Sequence, residues 1–231
     1  HNMGVSGGPY ITRDSSLVLE LDAADQNSYP GSGTVWTDLS TSNSQGILTG
    51  SSSPTYTSTF NGGITFNGTN QYVSSSLSNI SIPGTISVCC WVRHSTVPSA
   101  VQRYVTVGAN ETAVIRHDGS IYAPGTFLFY ILTSGTLKFL PVAGQITTNT
   151  NYYFCGTWDG TTMRAYKNGA QIGTSTPGGT MATSNLPYYV TGATPECLNG
   201  SIFCTQIYNR ALSATEITQN YNAQKSRFGL I

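Results

Sequence analysis

Glu20, Asp22 and Asp25, in the run Leu19-Glu-Leu-Asp-Ala-Ala-Asp25, have the spacing in this chain closest to a catalytic one. Side chains two apart on a strand share a face, so Glu20 and Asp22 can stand side by side. Carboxyls about 5–5.5 Å apart support retaining glycoside hydrolysis, and about 6.5–9.5 Å inverting hydrolysis. Asp22, however, ends its strand at a turn into Ala23, which breaks the shared face before Asp25. A structural role is the preferred reading of the segment, and no hydrolase activity is expected.

Other reactive groups lack context. Gly4-Val-Ser-Gly-Gly8 fits G-x-S-x-G by its letters alone, with no strand before it and no helix after it. His94 and His117 stand in no metal or triad spacing, and His117-Asp118-Gly119 reads as a hairpin corner. The five cysteines (Cys89, Cys90, Cys155, Cys197, Cys204) are odd in number, include an adjacent pair and form no C-x-x-C. They read as unpaired thiols of a protein folded in a reducing compartment, Cys197 with Cys204 being the pair best spaced to contradict this. Cys89 and Cys90 are expected to face opposite ways, one into the core and one outward.

Aromatic side chains are the remaining candidates for recognition. The chain has 14 Tyr and three Trp. Trp91 and Trp158 fall inside strands and Trp36 pins a polar segment, so all three read as core. Tyr29, Tyr122, Tyr188 and Tyr189 fall near loops or strand ends, where flat rings can stack on sugar C–H faces. The competing reading has them closing the rim of the fold.

Short strands must position these groups. Leu17-Val-Leu-Glu-Leu21 alternates cleanly, and further strand signals fall near 64–66, 71–75, 85–93, 103–108, 113–117, 127–133, 136–140, 151–158, 162–167, 170–174, 187–191 and 200–208. Asn67-Gly68, Asp118-Gly119, Ser134-Gly135, Asp159-Gly160 and Asn168-Gly169 supply turns. Residues 23–59, rich in Ser, Thr, Gly and Asn, read as an ordered wrap pinned by Tyr29, Trp36, Leu39, Ile47 and Leu48. Ser213-Ala-Thr-Glu216 is a capping box that opens one helix, with Ile217 and Tyr221 on one face. The fold class that follows is all-β: a two-sheet antiparallel sandwich with one short C-terminal helix. Residues 1–16 form an irregular arm, 17–224 one domain and 225–231 a tail.

Composition narrows the function classes. Formal net charge is zero and only 9% of the 231 residues are charged, against roughly 25% in ordinary domains. Electrostatic capture of nucleic acid or an anionic membrane is therefore not expected, and no stretch is apolar enough to span a bilayer. Such a weakly charged, hydroxyl-rich surface suits lectins and coat proteins, whose copies pack side by side without repulsion.

Four segments carry a family resemblance. They are Leu19–Ser40 (L-E-L-D-A-A-D-Q-N-S-Y-P-G-S-G-T-V-W-T-D-L-S), Asn61–Val73 (N-G-G-I-T-F-N-G-T-N-Q-Y-V), Thr157–Gly169 (T-W-D-G-T-T-M-R-A-Y-K-N-G) and Gly200–Ile217 (G-S-I-F-C-T-Q-I-Y-N-R-A-L-S-A-T-E-I). Together they resemble the laminin-G-like, concanavalin A-like jelly rolls, of the type abundant in structural proteins of tailed and marine phages. The resemblance implies a jelly-roll sandwich and surface recognition. It also places Glu20 and Asp22 in the family's ordinary opening, without the second Glu of related glucanases. Asn67 and Gln71 stand where the family often carries Asp. That leaves Asp38 and Asp159 as the calcium candidates, and no cofactor is expected.

The implied role is a non-catalytic virion surface component, a decoration, fibre or appendage protein using glycan or host-surface adhesion. A free-standing glycan-binding lectin, and then a glycan hydrolase, are the alternatives. Partners would be other virion proteins, further copies of the chain on the particle, and host-surface or environmental glycans. The location would be the virion, assembled in the host cytoplasm. Tyr10, Phe228, Leu230 and Ile231 are the candidate docking residues, the alternative being a tail folded back onto its own sandwich.

Overall fold

The computed structural model describes residues 10–192 and 195–231. The Gly4–Gly8 motif and the first nine residues of the expected arm lie outside the described residues. The described residues form eighteen strands and one α-helix. The first nine are β1 (Leu17–Asp22), β2 (Val35–Trp36), β3 (Gly46–Thr49), β4 (Thr55–Thr57), β5 (Gly63–Asn67), β6 (Tyr72–Ser75), β7 (Ile80–Ile82), β8 (Ile86–His94) and β9 (Val101–Val107). The others are β10 (Ala113–Asp118), β11 (Phe127–Thr133), β12 (Thr136–Val142), β13 (Asn151–Trp158), β14 (Met163–Lys167), β15 (Ala170–Ser175), β16 (Ser184–Leu186), β17 (Tyr188–Val190) and β18 (Asn199–Tyr208). One α-helix, α1 (Ala214–Gln224), follows.

The strands pair into two eight-stranded antiparallel sheets. The first runs β15-β14-β13-β8-β18-β5-β4, with β1 also paired to β18, and the second runs β12-β11-β10-β9-β17-β6-β3-β2. A small third ladder joins β7 to β16. The expected antiparallel sandwich with one short C-terminal helix is therefore the observed fold. Between the sheets lies the main core, where Cys90, Phe154 and Trp158 of the first sheet meet Val105, Phe127 and Phe129 of the second. The two layers come close at Gly156, where an added Cβ would sit 2.4 Å from the Phe129 ring.

The first sheet is covered on its outer face as well. Cys89, Trp91, Tyr153, Cys155, Phe203 and Tyr208 point away from the main core and pack beneath Leu212, Ile217 and Phe228. Trp91 stacks on Phe228 at 4.1 Å and on Tyr221 at 5.7 Å, and its indole N–H donates to Gln224 at 2.9 Å. The expectation that one of Cys89 and Cys90 faces outward is thus corrected. They do face opposite ways, yet both are buried, because α1 and the tail cover the second face. Cys89, Cys90, Cys155 and Cys204 are free thiols, and the Cys197 thiol donates to the Gly192 carbonyl.

Helix α1 starts as its sequence dictates. Ser213 Oγ accepts from Glu216 N–H at 3.2 Å, and Glu216 accepts from Ser213 N–H at 2.8 Å. Ser134-Gly135 and Asn168-Gly169 make tight turns with both residues at positive φ (47° and 74°; 52° and 83°). Asp118-Gly119 does not. It opens the loop 119–126, because the Asp118 carboxylate caps the Ser120 and Ile121 amides instead. The wrap at 23–59 is also more ordered than expected: it carries β2 and β3 at an edge of the second sheet and β4 at an edge of the first.

Candidate functional site

With the first sheet covered on both sides, the outer face of the second sheet is the more open one among the described residues, although Val114, Leu128 and Tyr130 on it are buried. Cross-strand partners line up along it. Val35, Ile47, Ser74, Tyr189, Thr106, Val114, Tyr130 and Phe139 are successive ladder neighbours from β2 to β12. Near the middle of this row opens a cleft of about 500 Å³, lined in part by Tyr72, Tyr189, Arg103, Thr106, Glu111 and Glu196. Tyr72 and Tyr189 are diagonal neighbours on β6 and β17, a spacing of roughly 7–8 Å that suits a shared platform.

A bulge builds the charged part of the cleft. The β9–β10 ladder slips between Val105 and Arg103, leaving Tyr104 as the extra residue. Tyr104 and Val105 both enter the core, and Arg103 comes out on the same side as Thr106. Arg103 Nη2 then reaches Glu111 at 2.5 Å, and its Nε pairs with Glu196. Glu111 sits in a turn at φ 59° and also accepts from Tyr130 Oη at 2.8 Å. Arg116 lies over the Tyr130 ring at 4.9 Å and pairs with Asp118 at 2.6 Å. Burial works against both charges of the Arg103–Glu111 pair. The Tyr130, Arg103 and Arg116 contacts outweigh it and hold the Glu111 carboxyl below its usual range. Likewise, Tyr130, Glu196 and Glu111 outweigh burial and raise Arg103. The Thr106 hydroxyl is buried at the cleft and has no hydrogen-bond partner.

Two of the four tyrosines proposed for sugar contact are corrected. Tyr29 is buried, stacks on Tyr56 at 5.7 Å and donates its hydroxyl to the Gly33 carbonyl. Tyr188 points into the main core and donates to the Ser44 carbonyl at 2.7 Å. Neither offers a ring face to a ligand. Tyr189, its chain neighbour, lines the cleft, and Tyr122 packs on the Val114–Leu128–Tyr130 cluster of the same open face. Arg103, Thr106, Glu111 and Glu196 were absent from the sequence reading. The bulge that re-aims Arg103 has no signature in a strict two-residue alternation.

The remaining acidic residues serve the fold. Asp38 accepts from the amides of Glu20, Ser40 and Ser44, and Asp159 accepts from those of Thr161 and Thr162 and pairs with Arg164. Both calcium candidates therefore already spend their oxygens on turn geometry. Gln71 accepts from Asn67 N–H and donates to the Ser52 and Ser53 carbonyls, a double role no carboxylate could fill. Glu20 is buried and gripped at both oxygens by Arg13, while Asp22 is held by Arg227 at 2.8 Å. His94 Nδ1–H donates to the Thr96 carbonyl, and its Nε2 accepts from Tyr104 Oη at 2.7 Å.

The docking candidates divide. Phe228 is buried on Trp91 and Phe203, so its expected role as an exposed contact is corrected: the tail folds back. Leu230 packs partly on the same cluster, whereas Tyr10 and Ile231 are exposed.

A laminin-G-type profile, described as the concanavalin A-like lectin/glucanases superfamily, matches residues 67–218. No curated protein matches the chain in sequence. Among solved structures, the fold is similar to domain 4 of AbnA, an extracellular arabinanase of Geobacillus stearothermophilus, in complex with arabinotriose. There the TM-score is 0.69 at 17% identity, over 89% of this chain and 98% of that one. It is similar to the receptor-binding domain of botulinum neurotoxin mosaic serotype C/D, with TM-score 0.67 and 14% identity, over 91% of this chain and 51% of that one. Trypanosoma rangeli sialidase, solved with 2,3-difluorosialic acid as a covalent intermediate, matches with TM-score 0.67 at 13% identity, over 96% of this chain and 37% of that one. At these identities the likenesses concern the fold.

Proposed function

The chain belongs to the concanavalin A-like lectin/glucanases superfamily, and from that premise we propose that it is a non-catalytic glycan-binding module. The observation that carries this reading is the cleft on the open sheet face. Two tyrosines rim it, and two glutamates and an arginine line it. Flat rings take sugar C–H faces, and fixed polar groups take the hydroxyls. That the arabinanase domain was solved with arabinotriose supports the class of ligand.

Catalysis is a poorer fit. A glycosidase needs one carboxyl with a raised pKa to act as acid, and Glu111 is pushed the other way. Glu20 and Asp22 are tied to different arginines. Isothermal titration against arabino-, gluco- and galacto-oligosaccharides tests binding. Loss of the signal in Tyr189→Ala with an unchanged melting temperature is expected. Release of reducing ends from any of these by the wild-type chain would overturn the non-catalytic part.

We further propose that the module works on the surface of a tailed-phage particle, in several copies. The four sequence segments quoted above support this, as does the near absence of net charge. Copurification of the chain with particles through density-gradient banding is the expected result; a chain found only free would point to a soluble lectin.

A further inference from the structure

We propose that the cleft takes uncharged saccharides and rejects acidic ones, such as uronic, sulfated or sialylated glycans. This rests on the glycan-binding reading and adds the chemical class of the ligand. An arginine in a sugar cleft would ordinarily invite a carboxylate, which its planar fork can grip with two parallel hydrogen bonds. Here the fork is already taken. Arg103 gives Nη2 to Glu111 and Nε to Glu196, and only 13% of its side chain is exposed.

The two glutamates are the more accessible partners, at 32% and 29%. The cleft lining therefore carries one cation against two anions, and the anions are the more exposed. Arg116 does not shift this balance, because Asp118 neutralises it at 2.6 Å. An incoming carboxylate or sulfate would meet like charge, and would have to break a partly buried ion pair to reach Arg103. A sugar hydroxyl faces no such barrier. It can donate to a free lone pair of Glu111 or Glu196, both of which are part-exposed. The stacking surface of Tyr72 and Tyr189 is indifferent to charge, so the discrimination falls to the glutamates.

The test uses matched probes on the whole chain: lactose with sialyllactose, and oligogalactose with oligogalacturonate, by isothermal titration. The neutral member of each pair is expected to bind at least about tenfold more tightly, with the gap narrowing as salt screens the repulsion. Glu196→Gln should shrink the gap, and Glu111→Gln/Glu196→Gln should close or invert it by freeing Arg103. The single variant stands on its own if the double variant unfolds. Equal or tighter binding of the acidic members by the wild type would overturn the proposal while leaving glycan binding intact, as would a gap that neither salt nor Glu196→Gln alters. Failure of every probe to bind would instead defeat the glycan-binding reading, and this proposal with it.

Discussion

Tyr188 and Tyr189 show how much one residue of register decides. Successive strand side chains point to opposite faces, so one ring fills the main core and the other rims the cleft. Tyr188→Phe should leave the Ser44 carbonyl without its buried donor and cost about 1 kcal/mol in denaturant unfolding, with glycan affinity unchanged. Tyr189→Ala should do the reverse. Sequence placed both tyrosines near a strand end but could not assign their faces, since a three-residue strand gives too few positions to fix the alternation. Arg103 was less legible still, because it reaches the cleft only through the bulge at Tyr104. The buried histidines give a second residue-scale outcome. Burial, and then the neighbouring His117 ring at 5.4 Å, lower His94 to about 4 from 6.5, and burial also lowers His117. The unfolded chain therefore binds more protons between those values. Stability is full above about pH 6.5 and falls as pH drops towards 4, on the order of 3 kcal/mol for His94 alone. Melting curves from pH 7 to 4.5 should show this fall, and His94→Gln should flatten it; a flat wild-type profile would contradict it.

Elements were read most securely where a mechanism acts within a few residues. The capping box of α1 is such a case, and Arg210 reinforces it by gripping both oxygens of Glu216. Ser213→Ala is expected to cost on the order of 1 kcal/mol, measured by chemical denaturation. The long strands β8, β13 and β18 were equally plain, since β-branched, aromatic and cysteine residues dominate them. Strands β2, β3 and β4 were not, because their apolar residues are isolated among Ser, Thr and Gly. β3 takes its pairing from β6, well separated along the chain, while β2 pairs with β3 and β4 with β5. What sequence did capture there was part of the pinning: Tyr29, Trp36 and Leu48 are buried, whereas Leu39 and Ile47 are only half-buried. Distance between the layers was illegible for a similar reason. Gly156 looks like any strand glycine until Phe129 is seen lying over it. Gly156→Ala should force that ring aside and lower stability by about 1–3 kcal/mol, which thermal unfolding will register.

At the scale of the whole molecule, the decisive asymmetry is that one sheet is covered twice and the other once. Helix α1 and the tail close the outer face of the first sheet, where Phe228 stacks on Trp91 and Arg227 bonds to Asp22 and to the carbonyls of Phe60 and Gly62. A tail so engaged holds the domain together instead of reaching for a neighbour. Phe228→Ala should leave a void over Trp91 and cost about 3–5 kcal/mol, as other buried phenylalanines do. Removing residues 226–231 should cost more, since Asp22 then loses its buried partner as well. If the module rides on a particle, its attachment must then use the exposed ends, Tyr10 or Ile231, or a sheet edge, leaving the cleft outward. Phe228→Ala therefore separates the two roles. The expected result is a lower melting temperature, with particle association and glycan affinity retained below it. A variant as stable as the wild type that no longer joins particles would show that the tail is an anchor after all.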